Sequence, residues 1–514
     1  MKETFTFLRT PFRAAALLMI TLQMLCAAGT VQAQKKQAEA KPLNVIFILS
    51  DDHRYDFMGF MNKVPGLKTP NMDRMAKEGA HLQNAFVTTS LCSPSRASIL
   101  TGQYAHTHQI VDNSAALPEG LTFFPQYLQE KGYQTGFFGK WHMGNTDDQP
   151  QPGFTKWVSF KGQGVYYSPT FNVDGKEVKQ PDSSYTTDLL TDYTLNWLKQ
   201  RDKNKPFFAY LSHKGVHSEF MPAKRHRDVY KNIQVVSPPS MYLTATDSSK
   251  RWGMVQAPTT PVNTRDIPEW VRRQRNSWHG VDGMYDGAIQ FDDFYRQYLE
   301  TLLSVDESIG RVLDWLKKEG LDKNTMVIYM GDNGFQFGEL GLIDKRDMYE
   351  ASIRVPLLAR APGLIKPGTK VPQMVMNVDI APTVLEMAGM EKPAQMQGNS
   401  FLPLLKGEQI AWRNKMYYEY YWEWAFPQTP TIFGVRTDQY KYIYNHGVWD
   451  INELYDIQKD PQEMNNLIRN PEYEAVAKEL KADMWNWLEA TNGLQIPLKN
   501  SPYRRIDLPF KGTY

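Results

Sequence analysis

The chain has 514 residues and an almost balanced charge, with 58 basic and 56 acidic residues. A surface without a large excess of either sign argues against nucleic acid or an anionic membrane as the partner. Only two cysteines are present, which excludes a disulfide-rich fold and a cysteine-based zinc site. The length fits two or three domains, or one large α/β domain with an appendage.

The first 33 residues have the pattern of a secretory signal peptide. Its basic residues are Lys2, Arg9 and Arg13. The apolar stretch at 14–29 is too short for a stable membrane span. We expect cleavage after Ala33, a solvated linker over 34–43, and a periplasmic or secreted mature protein without a membrane span. The alternative is a lipoprotein anchored at Cys26, which we favour less because Leu25 stands where a small residue is required.

Two apolar runs end in the same kind of polar pair. "NVIFILSDD" at 44–52 and "TMVIYMGDNG" at 325–334 have the continuous apolar residues of buried parallel strands. The polar residues at their ends are Asp51, Asp52, Asp332 and Asn333. Because ligands gather at the carboxyl ends of parallel strands, we expect an all-oxygen cluster that holds calcium or magnesium rather than zinc. The alternative is that these residues cap the helices that follow.

The elements between and after these strands indicate an α/β fold. Apolar residues recur at three- and four-residue steps in an amphipathic helix just before the second strand; they are Leu302, Val305, Ile309, Leu313 and Leu316. Helix followed by strand favours a large mixed, mostly parallel sheet between helices. Alternating aromatic strands after residue 412 predict a small antiparallel sheet. We therefore expect a catalytic domain over 44–412 and an α+β subdomain over 413–514.

The stretch "SLCSPSRASILTG" at 90–102 contains the thiol that remains once the signal peptide is removed. Cys92 has no second cysteine with which to form an internal disulfide in an oxidising compartment. One interpretation is a buried cysteine that acts as a small hydrophobe. Its turn-forming and charged neighbours, Arg96 among them, fit that interpretation poorly.

Three further stretches place cations and histidines together. "GKWHMG" contains Lys140 and His142, "LSHKGVH" contains His213 and His217, and "DKRDMYE" contains Lys345. Taken singly, each histidine after a strand is more often a satisfied polar residue than a catalyst.

Taken together, these stretches resemble one enzyme family. "CSPSRASILTG" is similar to the sulfatase signature C-x-P-S-R, with four residues before T-G, and "GYQTGFFGKWH" resembles that family's second signature. The other motifs follow in the order of a formylglycine-dependent type I sulfatase, over nearly the whole chain after the signal peptide. The resemblance implies an alkaline phosphatase-like fold and hydrolysis of a sulfate ester.

The resemblance also implies how Cys92 is used. A formylglycine-generating or anaerobic sulfatase-maturing enzyme would oxidise it to formylglycine, whose hydrate would join the metal ligands. One hydroxyl of the hydrate would attack sulfur, and the other would expel sulfate by re-forming the carbonyl.

The family's remaining roles match five positions of this chain. Arg96 and Lys140 would hold the hydrate and neutralise developing charge. His142 would be the base that breaks down the sulfated intermediate. His217, assisted by Lys345, would be the general acid for a sugar leaving group.

The substrate is expected to be a sulfated carbohydrate. "TGQYAHTHQIVDN" resembles the corresponding stretch of N-acetylglucosamine-6-sulfatases, which favours 6-sulfated N-acetylglucosamine of mucin or glycosaminoglycan; the alternative is a surface loop with two histidines. The substrate-binding candidates are His106, His108, His213, Trp422, Glu423, Trp424 and Arg436. Other sulfated sugars stay open, as do a phosphonate or phosphate monoester hydrolase of the same superfamily and a non-catalytic glycan-binding protein on a sulfatase scaffold.

Overall fold

The computed structural model describes Met1 and residues 44–144, 147–244 and 264–497. The predicted signal peptide and linker therefore lie outside the described residues, apart from Met1. The chain divides into two compact units, Met1–Pro42 and Leu43–Tyr514, and the elements given below belong to the second. No helix in the described ranges combines the length and apolar character needed to cross a bilayer.

The strands of the described residues form one large and two small sheets. They are β1 (Asn44–Ser50), β2 (Ala80–Phe86), β3 (Gln134–Lys140), β4 (Lys156–Phe160), β5 (Thr170–Val173), β6 (Lys176–Lys179), β7 (Phe207–Ser212), β8 (Thr325–Gly331), β9 (Gln336–Phe337), β10 (Ile343–Asp344), β11 (Leu357–Arg360), β12 (Thr369–Met376), β13 (Lys415–Tyr420), β14 (Thr431–Thr437), β15 (Tyr440–His446) and β16 (Glu453–Asp456).

The α-helices of the same residues surround these sheets. They are α1 (Pro70–Glu78), α2 (Cys92–Thr101), α3 (Ala105–His108), α4 (Phe124–Glu130), α5 (Thr186–Gln200), α6 (Glu269–Gln274), α7 (Phe291–Lys318), α8 (Glu350–Ile353), α9 (Ile380–Met387), α10 (Leu402–Leu405) and α11 (Glu474–Ala490).

The large sheet has ten strands in the order β12-β2-β11-β8-β1-β7-β3-β4-β5-β6. Its centre is parallel: β1 pairs with β7 and β8, and β3 pairs with β7 and β4. Antiparallel pairs join β11 to β8 and β2, and β5 to β4 and β6. The predicted mixed, mostly parallel sheet is therefore confirmed. A four-stranded antiparallel sheet, β13-β14-β15-β16, follows it in the chain.

The sequence of β1 explains why it lies in the middle of the sheet. Val45, Phe47 and Leu49 belong to one hydrophobic core, whereas Ile46 and Ile48 belong to another. Successive side chains of a strand point to opposite faces, so an unbroken apolar run suits a strand that is covered on both sides. β1 thus contributes to two cores and has polar residues only at its first and last positions, Asn44 and Ser50.

The helix α7 covers one of these faces. The five apolar residues that predict it are buried in the same core as Ile46. The predicted boundary between residues 412 and 413 falls just before β13, and as a domain boundary it stays a prediction.

Candidate active site

The carboxyl ends of the central strands bring the predicted acidic residues together. β1 and β8 pair in register as far as Ser50 and Gly331, and β7 ends beside them at Ser212. The polar residues that follow these strands therefore lie at the same edge of the sheet. The backbone N–H of Asp52 donates to Oδ1 of Asp332 at 2.9 Å, which ties the two strand ends to each other.

Cys92 lies against this carboxylate cluster as the first residue of α2. Its Sγ is 3.4 Å from Oδ1 of Asp51. Asp51, Cys92 and Asp332 each offer one ligand atom, and these atoms all lie within 4.8 Å of one another. The three side chains are fully buried, so the cluster is a possible metal site in the interior.

Two further oxygen atoms next to this cluster could serve as ligands of a cation. Oδ2 of Asp52 and Oδ1 of Asn333 are buried and accept no hydrogen bond from any described residue. Buried polar atoms without a partner are costly, and carboxylate and amide oxygens are the ligands that Ca²⁺ and Mg²⁺ prefer. The donor set thus suits a hard divalent cation.

Three cations are paired with the three carboxylates of the cluster. Lys140 Nζ contacts Oδ2 of Asp51, and Lys345 Nζ contacts Oδ1 of Asp52. Arg96 pairs with Asp332, its Nη2 lying 2.8 Å from Oδ2. Lys140 Nζ also donates to Oε1 of Gln163 at 2.5 Å. The sequence motifs predicted these cations as parts of one site, and the fold brings them together.

Burial and the neighbouring charges together determine the pKa values of the groups in the cluster. Burial alone would raise the pKa of Asp51, but Lys140 and the other nearby cations hold it well below its ordinary range. Burial raises the pKa of Asp52 to about 7, and the charges of Asp51 and Asp332 add to this effect against that of Lys345. Burial, together with the charge of Asp51, also raises the pKa of the Cys92 thiol. An unmodified Cys92 is consequently protonated and a weak nucleophile.

Of the two predicted catalytic histidines, His217 borders the same cluster, and His142 contacts the residue after Cys92 through its backbone. His217 Nδ1 contacts the carbonyl oxygen of Ser218, and its Nε2 lies 3.9 Å from Oδ2 of Asp52. Because a carbonyl only accepts, Nδ1 carries the proton in the neutral ring and Nε2 faces the cluster. His142 is buried, and its carbonyl accepts a hydrogen bond from Ser93 Oγ. Its φ of +49° is a left-handed conformation that non-glycine residues seldom adopt outside tight turns and functional sites.

The other predicted histidines are bonded elsewhere in the interior. His106 Nδ1 lies 2.8 Å from Oε2 of Glu419. His108 Nε2 lies 3.1 Å from Ser98 Oγ, and His213 Nε2 lies 3.0 Å from the hydroxyl oxygen of Ser308. The fold therefore does not bring His106, His108 or His213 into contact with the carboxylate cluster, as judged from the described residues. A substrate contact by these three stays a prediction.

Two of the predicted C-terminal substrate-binding residues are hydrogen-bonded in the interior, and the other two are exposed. Glu423 Oε1 accepts hydrogen bonds from Arg346 Nε at 3.1 Å and from the Tyr420 hydroxyl at 2.9 Å. Arg436 is turned inward, where Nε and Nη2 donate to the two oxygens of Glu350 at 2.9 and 3.1 Å. Trp422 and Trp424 are 43% and 68% exposed, which leaves ring surface available for contact.

The structure places four residues that sequence reasoning missed in one connected cluster beside Lys345. Asp344 Oδ1 is 3.4 Å from Lys345 Nζ, and its Oδ2 is 3.0 Å from His279 Nδ1 and also contacts Arg346 Nη1. The Arg346 guanidinium lies 3.5 Å over the ring of Phe426. The charged "DKR" that contains Lys345 could have indicated Asp344 and Arg346. No local pattern marks His279 or Phe426, which come from distant segments.

Comparison with known families agrees with this geometry. The sulfatase family matches residues 43–390, and the family described as "N-sulphoglucosamine sulphohydrolase, C-terminal" matches residues 338–490. The chain therefore belongs to the sulfatase family, and it is an enzyme, a sulfuric ester hydrolase. The possible metal site agrees with the general use of a divalent metal in this family.

Individual relatives narrow the comparison. The N-acetylglucosamine-6-O-sulfatase of Bacteroides thetaiotaomicron is 36% identical over 504 residues, which cover 90% of this chain and 89% of the relative. The N-acetylglucosamine-6-sulfatase of Homo sapiens is 29% identical over 510 residues, covering 89% and 86%. A solved structure, of a protein in complex with its substrate D-glucosamine-2-N,6-O-disulfate, superimposes with a TM-score of 0.76 at 33% identity, covering 89% of this chain and 99% of that one.

Proposed function

We propose that this sulfatase removes the 6-O-sulfate of an N-acetylglucosamine or glucosamine residue in a mucin or glycosaminoglycan. The two relatives described above support this substrate by their names, and the neighbouring structure supports it by its bound sugar. The observation that carries the chemistry is the burial of Cys92 between Asp51 and Asp332 at the strand ends.

In this proposal, Cys92 is oxidised to formylglycine by a maturing enzyme, and the cation is Ca²⁺, with Mg²⁺ as the alternative. The unpartnered oxygens of Asp52 and Asn333 favour an oxygen-binding cation. When present, the hydrated aldehyde supplies a hydroxyl nucleophile, and the cation polarises a sulfate oxygen. The cation would be held by Asp51, Asp52, Asp332, Asn333 and the group at position 92.

Arg96 and Lys140 neutralise charge around position 92. Their side chains are buried and paired with Asp332 and Asp51, so both are held in place before substrate binds. Fixed charges of this kind need no reorganisation during the reaction, which is why they stabilise a transition state better than mobile groups in water.

Two histidines transfer protons in this proposal. His217 presents Nε2 to the cluster, and Lys345 shares Asp52 with it. A sugar alkoxide is a poor leaving group, so transfer of a proton to the departing oxygen from Nε2 of the doubly protonated His217 ring, with Lys345 assisting, lowers the barrier. His142 is assigned to remove the proton that allows sulfate to depart from position 92.

The groups around Asp344 suit the hydroxyls of a sugar. Arg346, Glu423 and His279 form a connected set of donors and acceptors next to Lys345. We propose that these residues bind the sugar ring. The exposed rings of Trp422 and Trp424 would contact the glycan further out. With the predicted signal peptide, the enzyme would act outside the cytoplasm, where such glycans are found.

A mass spectrum and a substrate panel test the proposal together. A tryptic peptide that contains Cys92 should show loss of the thiol and gain of the aldehyde or its hydrate. The same preparation should release sulfate from N-acetylglucosamine 6-sulfate faster than from galactose 6-sulfate. An unmodified Cys92 without sulfate release would favour a glycan-binding protein, and faster turnover of a phenyl phosphonate than of a phenyl sulfate would favour a phosphonate hydrolase.

A further inference from the structure

Lys214 is a buried lysine between β7 and His217 to which the mechanism above gives no role. The residue is only 4% exposed. Buried lysines almost always have an anionic partner, because an ammonium group without one is costly to remove from water. The surroundings of Lys214 therefore require an explanation.

The other three cations of the site have such a partner, whereas the described residues provide none for Lys214. Lys140, Arg96 and Lys345 each pair with a carboxylate of the cluster. For Lys214 Nζ, the described residues supply neither an ion pair nor a hydrogen bond. The Lys214 ammonium lies over the ring of Tyr166, whose centroid is 4.7 Å from Nζ. An aromatic face attracts a cation but does not replace a counter-ion.

The backbone fixes Lys214 inside the active site. Its neighbours bracket Asp51 with two hydrogen bonds, from Asp51 N to the carbonyl of Gly215 at 3.0 Å and from Val216 N to the carbonyl of Asp51 at 2.7 Å. The Lys214 carbonyl accepts a hydrogen bond from His217 N at 3.0 Å. Lys214 is thus tied to one residue of the metal site and to the proposed general acid.

Tyr166, whose ring contacts the Lys214 ammonium, is itself held in place by a hydrogen bond. The Tyr166 hydroxyl donates to the carbonyl oxygen of His217 at 2.7 Å, so the ring below the ammonium is anchored to the same loop. Electrostatics agree with this position: burial first, and then the charge of Lys140, lowers the pKa of Lys214 to about 8, while Asp51 and Asp52 act in the opposite direction. The charges of the cluster therefore affect the pKa of Lys214.

We propose that Lys214 is a specificity-determining residue whose ammonium binds a sulfate oxygen of the bound substrate. Lys140, Arg96 and Lys345 each contact a carboxylate of the cluster, whereas no described carboxylate pairs with Lys214, so its ammonium can bind an incoming oxyanion. That oxyanion is either the sulfate that is cleaved or a second sulfate on the same sugar. Tyr166 is a positioning residue that holds the ammonium toward it. This inference rests on the proposed function for the identity of the sugar.

Binding measurements on a non-turning-over protein test the proposal without activity. In the full chain with Cys92→Ala, calorimetry with inorganic sulfate, N-acetylglucosamine 6-sulfate and glucosamine 2-N,6-O-disulfate is compared with and without Lys214→Met. Methionine keeps the apolar stem against the Tyr166 ring and removes only the charge. Lys224→Met, at an exposed lysine ten residues further on, is the matched control for the loss of one charge.

The three probes separate the two sources of the oxyanion. If Lys214 contacts the cleaved sulfate, Lys214→Met weakens all three probes at least tenfold. If it contacts a second sulfate, only the disulfated sugar is weakened. Lys214→Arg should restore a substantial part of the lost affinity, and Tyr166→Phe, which keeps the ring, should weaken binding less than Lys214→Met. Affinities of Lys214→Met within twofold of the parent for all three probes, with an unchanged melting temperature, would overturn the inference.

Turnover by the unaltered enzyme is a separate readout. Failure of the wild type to release sulfate from either sugar would reject the proposed function, while the affinity for inorganic sulfate would still decide whether Lys214 binds an oxyanion.

Discussion

Arg96 and Asp332 form a forked, buried ion pair in which Nε and Nη2 of the arginine lie 2.9 and 2.8 Å from Oδ2 of the aspartate. The third nitrogen, Nη1, donates to Ser212 Oγ and to the Lys140 carbonyl, both at 2.7 Å. One side chain from α2 therefore joins the ends of β3, β7 and β8. The position of Cys92, four residues earlier in α2, depends on that junction.

Replacing Arg96 should consequently affect both folding and catalysis. We expect Arg96→Met to lower the free energy of unfolding by about 3–5 kcal/mol, because it leaves a buried carboxylate without its partner. Sulfate release should fall by roughly 100-fold or more as an oxyanion-stabilising charge is lost. Urea unfolding and a sulfate-release assay measure the two effects. Arg273→Met, at an exposed pair with Glu269, should change the free energy by less than about 0.5 kcal/mol.

The strand ends were predictable because local patterns determine them. An apolar run that stops at a carboxylate indicates both a buried strand and its polar terminus, and the parallel register then brings Asp51 and Asp332 together. Lys345 is assigned to the active site only through the resemblance of its stretch to a family motif. Nothing local to "DKRDMYE" shows that its lysine reaches a carboxylate 293 positions away.

The tertiary partners of His106 and His108 could not be predicted from the sequence. Their predicted position facing a sugar was drawn from a motif, but the partner of His106 is Glu419, 313 positions further on. Glu419 lies in β13, a strand whose aromatic pattern gives no sign of a buried acid that faces a histidine. Which face of a short helix is covered by a later sheet depends on tertiary packing and not on spacing.

The proposed metal site predicts that the stability of the protein depends on calcium. A ligand that binds only the folded state at 100 times its dissociation constant adds about 2.7 kcal/mol. We expect calcium to raise the melting temperature of the wild type and to have little effect on Asp332→Asn, which removes one ligand charge. Scanning calorimetry with and without chelator makes the comparison. Glu319→Gln, at the exposed end of α7, should keep the full response, and an equal response in Asp332→Asn would contradict the assignment.

The proposed role of His217 as general acid predicts that the effect of its replacement depends on the leaving group. An alkoxide must be protonated as it departs, whereas a nitrophenolate departs without help, so only the first requires a general acid. We expect His217→Gln to lower kcat for N-acetylglucosamine 6-sulfate by roughly 100-fold to 10,000-fold and to affect 4-nitrophenyl sulfate much less. Equal losses on both substrates would instead show that His217 acts at a step shared by them.

The pair of Arg436 and Glu350 predicts a structural effect without a binding effect. Lys441 Nζ lies 2.7 Å from Glu350 Oε1 and Arg354 Nη1 lies 3.7 Å from Oε2, so Arg436→Met removes its charge-assisted hydrogen bonds but leaves the carboxylate with two other cations. We expect a loss of about 1.5–3 kcal/mol in the free energy of unfolding and a KM within twofold of the wild type. A large rise in KM in a stable variant would restore Arg436 as a substrate contact.

The buried pair of His106 and Glu419 predicts how stability varies with pH. Burial by itself would lower the pKa of His106, but the hydrogen bond and charge of Glu419 raise it above its ordinary value of 6.5. A group whose pKa is higher in the folded state adds stability in full below its unfolded pKa and loses it as the pH rises through the folded pKa. Glu419 has a lowered pKa despite its burial, because of His106; it adds stability above its ordinary value of 4.5 and loses it as the pH falls.

Both contributions are complete only between about pH 4.5 and pH 6.5. The difference in unfolding free energy between wild type and His106→Asn should therefore be largest near pH 5.5 and should shrink at pH 8 and above. Urea unfolding at several pH values measures this difference. Glu419→Gln should give a similar profile, because either change removes the same ion pair and leaves one polar group in place. A difference that does not vary with pH would mean that His106 is neutral in the folded protein and that its hydrogen bond to Glu419 carries no charge.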